Sequence, residues 1–458
     1  MNRHTLTTAA LVALVGGPAL AHAAGSDDLQ ALRDEIAAIR HSYDARIAEL
    51  EARLKQAEAH ADAAGRTAAR ADDTARQVAA RSTTRPAAAN AFNPAVSLIL
   101  SGTYGNFSRD PSSYRIGGFI PGGDEIGPGE RGFSLAESEL AISANIDPWF
   151  YGGLNLALTP ENEAEVEQAF VQTTSLPHGL TLKAGRFFSG IGYLNEQHAH
   201  TWDFVDAPLA YQAFLGKQFG DDGVQLKWLA PTDLFLEFGA ELGRGRNFPG
   251  SDRGINGAGA QAVFAHVGGD VGVSHSWRAG LSLLRTTPRD RAYEDVDHGV
   301  VNAVSGTSRL WIADFVWKWA PNGDATHTNA KLQGEYFRRK EDGSLVYDVD
   351  GAASEGRYAS SQSGWYLQGV YQFMPRWRTG LRYDRLNSGS THYGANAGVL
   401  DASGYDPTRL SLMVDWSPSE FSRWRVQVAR DKARRDAPDT QLMLQYLMSL
   451  GAHGAHRY

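Results

Sequence analysis

The chain has no cysteine in 458 residues, which excludes a disulfide framework, a thiolate nucleophile and any cysteine-bound metal centre. It also lacks an excess of positive charge: 44 Lys and Arg stand against 52 Asp and Glu, a formal charge of −8. Binding along a phosphate backbone needs the opposite balance, so no nucleic-acid partner is expected. Long apolar runs are missing as well. With 42% hydrophobic and 21% charged residues and a mean hydropathy of −0.35, the chain cannot build a bundle of membrane-spanning helices. No G-x-S-x-G elbow and no isolated Ser/His/Asp grouping stands out, so the chain is not expected to be an enzyme or to need a cofactor. What is abundant is glycine, at 49 residues, and aromatics: 11 Trp, 17 Tyr and 19 Phe. That composition favours β-structure.

Arg3 and His4 precede the apolar run 11–15, and the small-residue stretch 19–24 follows Pro18, the pattern of a secretory signal peptide over residues 1–24. From 27 to 80, apolar or alanine residues recur at three- and four-residue spacing, with a stutter through Ile39, Tyr43 and Ile47. So narrow a stripe predicts a self-associating α-helical coiled coil, placed in the periplasm by the export signal. Residues 81–94, with Pro86 and three consecutive alanines, form a linker.

From residue 95 onward the apolar period changes from about 3.5 to 2. Val96, Leu98 and Leu100 alternate with Ser97, Ile99 and Ser101; Leu234, Leu236, Phe238, Ala240 and Leu242 alternate with Phe235, Glu237, Gly239 and Glu241; Trp377, Thr379, Leu381 and Tyr383 alternate with Arg378, Gly380, Arg382 and Asp384. Tight turns are expected at 147–149, 176–179, 230–233, 268–270, 320–323, 374–376 and 417–419. Between them fall polar, glycine-rich loops near 108–131, 159–164, 190–222, 244–258, 286–304, 340–358, 387–406 and 432–438. Seven turns alternating with eight loops imply 16 antiparallel strands, an all-β transmembrane barrel over 95–458 with outer-membrane lipid around it. Trp149, Phe150, Tyr151, Trp317, Trp319, Phe373 and Trp377 sit where an aromatic girdle would lie.

If the apolar alternates face lipid, the polar alternates line the lumen. The basic pore-lining candidates are Lys183, Lys227, Arg278, Lys318, Lys331, Arg378, Arg382, Arg409, Arg423 and Arg425; the acidic ones are Glu137, Glu139, Glu237, Glu241, Asp314, Glu335, Asp384, Asp415 and Asp431. Arg378, Arg382, Arg409, Arg423 and Arg425 fall on three consecutive strands, a patch able to meet small anions through guanidinium forks. In the longest loop, His198 and His200, with Asp203 nearby, are the candidate metal ligands, since two imidazoles and a carboxylate suit a divalent transition metal. Asp295, Asp297 and His298, and the terminal His453 and His456, are weaker candidates.

The coiled coil, the linker and the 16-strand pattern, together with Glu167-Gln168-Ala169-Phe170-Val171 and Leu182-Lys183-Ala184-Gly185-Arg186-Phe187, resemble the phosphate-selective porin O/P family. That resemblance implies a homotrimeric outer-membrane porin passing small hydrophilic solutes or ions, anions among them, by passive diffusion. It also likens loop 190–222 to a constriction loop folded into the channel. The terminus from Leu444 to Tyr458 resembles porin-like proteins labelled zinc-regulated TonB-dependent receptors, which implies a zinc-associated channel as an alternative. TonB-driven gating is not expected, because the chain is too short for a plug and a 22-stranded barrel. A further alternative is an envelope tether with the barrel as its anchor.

Overall fold

The computed structural model describes residues 94–451, except 124–125, 137, 161–162 and 401–403, together with scattered positions between 37 and 55 that are helical and exposed. The expected signal peptide and linker lie outside the described residues, as do Glu137, His453, His456 and nearly all of the expected coiled coil. The barrel belongs to one of two compact units of the chain, residues 92–458.

Strand segments in this unit combine into 16 antiparallel wall strands. They are β1 Ala95–Phe107, β2 Gly132–Ser134 with Ser138–Asn145, β3 Phe150–Leu158, β4 Ala164–Thr173, β5 Leu180–Phe188, β6 Gly220–Leu229, β7 Phe235–Gly243 and β8 Ala260–Val271. The wall continues with β9 His275–Thr286 with Arg291–Asp295, β10 Val300–Trp319, β11 Asn329–Tyr347, β12 Ser354–Met374, β13 Trp377–His392, β14 Thr408–Ser419, β15 Ser422–Lys432 and β16 Asp439–Gly451. The two halves of β2 both pair with β1, and those of β9 both pair with β10, so each interrupted strand fills one place in the wall. The first and last strands pair from Ser97↔Gly451 to Phe107↔Gln441, which closes the cylinder and leaves no free edge.

Period-2 alternation fixes which face meets lipid. Leu332, Leu367, Leu381, Leu412, Val414 and Val428 point outward and are exposed. Near the tight turns, the outward ring pairs Trp377–Trp416 (5.9 Å), Trp424–Tyr446 (4.3 Å), Trp228–Phe238 (5.8 Å) and His275–Trp317 (5.6 Å) trace a girdle. Toward the loops the apolar band gives way to exposed, outward Arg285, Arg309, Arg338, Arg385 and Arg430, where guanidinium hydration limits the depth of the lipid-facing zone. Among the described residues no helix is long and apolar enough to cross a membrane.

Two expectations require correction. The turn expected at 268–270 lies at 272–274, because β8 runs to Val271. Gly268 and Gly269 stay inside the strand where a side chain would strike the Trp277 carbonyl or Leu234. Much of the expected loops at 286–304, 340–358 and 387–406 is also strand: β10, β11 and β12 run for 20, 19 and 21 residues, against 9 for β3, β5 and β7. Their extensions have an apolar inner face, where Val304, Leu345 and Tyr358 pack with Ile120 and Leu400 from the neighbouring loops.

Leu412 lies mid-strand between Leu381 and Val428 on the lipid face. Leu412→Arg is expected to destabilise the barrel by about 2–4 kcal/mol, read as a lower denaturant midpoint in lipid or detergent; an unchanged midpoint would place the membrane band elsewhere.

Candidate functional site

The lumen is organised by the long segment between β5 and β6, residues 189–219, which folds into the barrel. It carries a short helix, α1, Leu209–Leu215, in which every residue is buried. A chain inside a cylinder leaves the ladder that satisfies backbone groups, so its amides and carbonyls need other partners. The wall supplies them. Glu241 accepts from the Ser189 hydroxyl (2.5 Å) and the Gly190 amide (2.9 Å). Glu335 accepts from the Tyr193 and Leu194 amides (both 3.1 Å) and from the hydroxyls of Tyr211 and Tyr366. Asp384 and Gln427 accept from the Leu209 and Val205 amides at 2.9 and 2.8 Å. In the other direction, Arg278 donates to the Gly192 carbonyl (3.3 Å), Arg423 to His200 (2.7 Å), Arg425 to Trp202 (2.9 Å), Arg382 to Asp206 (2.8 Å) and Arg409 to Ala207 (2.5 Å).

The five arginines expected to form one basic patch do sit on adjacent strands β13, β14 and β15, but aspartates share their charge. Arg378 pairs with Asp415 (2.6 Å) and Asp203 (3.2 Å), Arg425 with Asp415 (3.2 Å), Arg382 with Asp384 (3.0 Å) and Asp206 (2.8 Å), and Arg409 with Asp206 (2.8 Å) and Asp431 (3.7 Å). Burial alone would raise the Asp203 carboxyl, but Lys331 and Arg378 beside it hold it well below the usual carboxylate range. Asp206, which lies in the loop outside the alternating strand pattern, bridges two strands through their guanidiniums. Asp314 is buried at the rung opposite Glu335.

Apolar side chains fill much of the space around α1. Phe214 stacks on Phe337 (5.9 Å, 8°), Tyr211 meets the same ring edge-on at 5.1 Å, and Phe264, Leu284, Leu310, Ile312 and Leu386 from the wall join the cluster. Inward positions on β8 to β13 are therefore partly apolar, where simple alternation had made them polar.

Toward the tight turns the lumen is different. Lys183, Lys227, Arg278, Lys318, Lys331, Arg378 and Arg423 are all half-buried in an arc from β5 to β15. Lys183 lies over the rings of Phe170 (4.8 Å) and Phe187 (5.5 Å), Lys227 pairs with Glu237 (3.3 Å) and Glu196 (4.0 Å), and Lys331 pairs with Asp203. Lys318 faces Lys331 across one rung of the β10–β11 ladder. Glu237 also meets His266 at 3.1 Å.

Of the three candidate metal ligands, His198 and His200 come together with their rings stacked at 5.6 Å, but Asp203 turns away to Lys331 and Arg378. The carboxylates beside the imidazoles are Glu139 and Glu167. His198 Nδ1 is 2.8 Å from Glu167 Oε2 and 3.2 Å from Glu139 Oε2; His200 Nδ1 is 3.0 Å from Glu139 Oε2. Burial alone would lower the His198 imidazole, but hydrogen bonds to Glu139 and Glu167 outweigh it and push the ring up to about 10. Sequence spacing held no sign of Glu167, because its position depends on strand register.

Removing Asp206 takes away the closer of the two carboxylates that the buried guanidiniums of Arg382 and Arg409 share, Asp384 being the other. Asp206→Ala is expected to cost about 3–5 kcal/mol of stability, seen as a lower denaturant midpoint; a change below 1 kcal/mol, about a factor of five in equilibrium, would mean that the loop is not pinned there.

No family model matches the chain. Among solved structures, a loop-deletion mutant of OmpT, an outer membrane protein of Vibrio cholerae, superposes with a TM-score of 0.51 at 10% identity, covering 78% of this chain and 99% of that one. The outer membrane channel DcaP of Acinetobacter baumannii gives a TM-score of 0.46 at 11% identity, covering 78% of this chain and 96% of that one. The first of these likenesses identifies the fold as that of a 16-stranded outer-membrane barrel. In sequence, an uncharacterized protein of Aquifex aeolicus (strain VF5) is 30% identical over 398 residues, covering 81% of each chain. Identity of that extent over 81% of the chain makes this chain a member of the same protein family as the Aquifex aeolicus protein.

Proposed function

We propose that the protein is an outer-membrane porin, a passive channel for small hydrophilic solutes and ions that favours anions. The observation that carries this reading is the arc of seven half-buried basic side chains, Lys183, Lys227, Arg278, Lys318, Lys331, Arg378 and Arg423, around the tight-turn end of the lumen. Glu196, Asp203, Glu237, Asp314 and Asp415 stand among them, five carboxylates against seven cations. A positive, low-dielectric rim concentrates small anions and repels cations. Loop 189–219 narrows the passage beside that rim, which limits the solute to a small one. The resemblance to phosphate-selective porins supports oxyanions as the preferred class, with guanidinium and ammonium donors as the recognising groups.

The proposed assembly is a homotrimer through the side formed by β3, β4 and β5, which are among the shortest strands of the wall. Phe150, Leu158, Val166 and Val171 give that side an exposed apolar surface. The N-terminal segment, proposed as a periplasmic coiled coil, would join the same three copies. A second reading, an envelope tether anchored by a closed barrel, is favoured by the apolar filling around α1.

Planar-bilayer conductance of the purified protein separates these readings. Steps grouped in threes with a chloride-over-potassium preference are expected, and Lys183→Glu combined with Lys227→Glu and Lys318→Glu should reduce that preference at least about threefold by reversing the rim's charge. Absence of conductance would sink the channel and leave the tether; a preference unmoved by the three substitutions would remove the basic arc from the selectivity mechanism.

A further inference from the structure

The imidazole and carboxylate groups near the start of the inward loop form a second constellation, independent of the basic arc. Three wall strands and the loop build it. Glu139 is an inward residue of β2, Asn155 of β3, and Gln168 of β4. Pairing between β3 and β4 steps from Asn155↔Gln168 to Leu156↔Val166, which leaves Glu167 as the extra residue of a β-bulge. In a regular strand neighbouring side chains point to opposite faces. The bulge instead lets Glu167 and Gln168 both reach the interior, where each meets His198. The inward loop delivers His198 and His200 on either side of Ala199, and the turn Ala199–Thr201 brings both Nδ1 atoms to the wall.

We propose that Glu139, Glu167, His198 and His200 form a binding site for one divalent transition-metal ion of the zinc type. One oxygen of each glutamate and one nitrogen of His198 lie within 4.8 Å of one another, close enough for a single ion to bridge them. The Nδ1 of His200, 3.0 Å from the Glu139 oxygen, supplies the fourth donor. Two imidazoles and two carboxylates make an N2O2 set whose two negative charges match a dication. Imidazole nitrogen favours zinc, copper or nickel over calcium or magnesium, which take oxygen ligands.

The surroundings fit the same purpose. The amide of Asn155 holds the other Glu139 oxygen at 2.6 Å, and the amides of Asn155 and Gln168 both lie 3.2 Å from His198 Nε2. With Nδ1 on the metal the ring carries its proton on Nε2, and the Gln168 carboxamide, turned so that its oxygen faces the ring, would accept that proton and fix the ring's orientation. Phe188 covers the His198 ring edge-on at 5.5 Å, and Arg423 reaches the loop only through the His200 carbonyl at 2.7 Å. His198 and Glu167 keep side-chain exposures of 21% and 11%, so the site can be reached from the lumen. A bound ion would tie the loop to β2 and β4, beside the point where Arg423 of β15 holds the His200 carbonyl.

Calorimetry on the full-length protein in detergent, stripped with a chelator and titrated with zinc sulfate, tests the site without any requirement for conductance. Cobalt(II) absorption in the visible gives a second readout of a four-coordinate nitrogen-oxygen site. One zinc per chain is expected with a Kd below about 10 µM. His198→Gln and Glu167→Gln should each weaken binding at least about tenfold, while His298→Gln, which removes an imidazole paired with Asp295 in an external loop at 2.9 Å, should leave it unchanged. Heat-modifiable migration of each variant on a gel confirms a folded barrel. Absence of saturable binding to wild type below about 100 µM zinc, or full retention of affinity in folded His198→Gln, would overturn the proposal.

Discussion

The interior of this barrel is governed by the need to satisfy a polypeptide that has left the sheet. A strand inside the wall finds its hydrogen bonds next door; residues 189–219 meet part of their need within the segment, in α1 and short turns, and take much of the rest from wall side chains. Glu241, Glu335, Asp384 and Gln427 act as acceptors for loop amides, and Arg278, Arg382, Arg409, Arg423 and Arg425 as donors to loop carbonyls. Each of those groups is charged or polar because the loop demands it. The residues that line the lumen are therefore also the ones that hold the loop in place, and in the proposed channel a change at one of them alters both.

This dual use explains why the arginine patch differs from an open anion track. A guanidinium with five donors can hold a carbonyl and a carboxylate together. Arg382 does so with the Asp206 carbonyl and the carboxylates of Asp206 and Asp384. Cations committed in this way are structural. The lysines near the tight turns, Lys183, Lys227, Lys318 and Lys331, are half-buried and closer to solvent, and in the proposed channel it is their charge that acts on a passing ion.

The architecture was largely legible from alternation and punctuation: the strand count and the alternation of short and long connections follow from them, whereas the inward course of the longest loop was implied only by the resemblance to porins. Legibility failed where periodicity is ambiguous about sides. Phe264, Leu310, Ile312, Phe337 and Leu386 are apolar yet face inward, because α1 and its flanks give them a core to enter. The tall hairpins of β10 to β13 carry polar residues above the membrane and so resembled loops. In the candidate metal cluster the two histidines could be seen in sequence, but their carboxylates come from two other strands, Glu167 lying 31 and Glu139 59 residues before His198. Glu167 is turned inward by a bulge whose existence depends on how β3 and β4 pair, information absent from any local pattern.

The seam between β1 and β16 joins Ser97 to Gly451, so the cylinder cannot close until the last strand has been made. Contacts of such separation are slow to form. The inward loop is gripped both by β2 and β4, made early, and by β13, β14 and β15, made late. Enclosure of the loop and closure of the wall must then be one cooperative event rather than successive ones. An incomplete chain would present the loop's apolar helix and an unpaired β1 edge together, the combination that invites aggregation, and the cell would have to shield both until the final strand arrives.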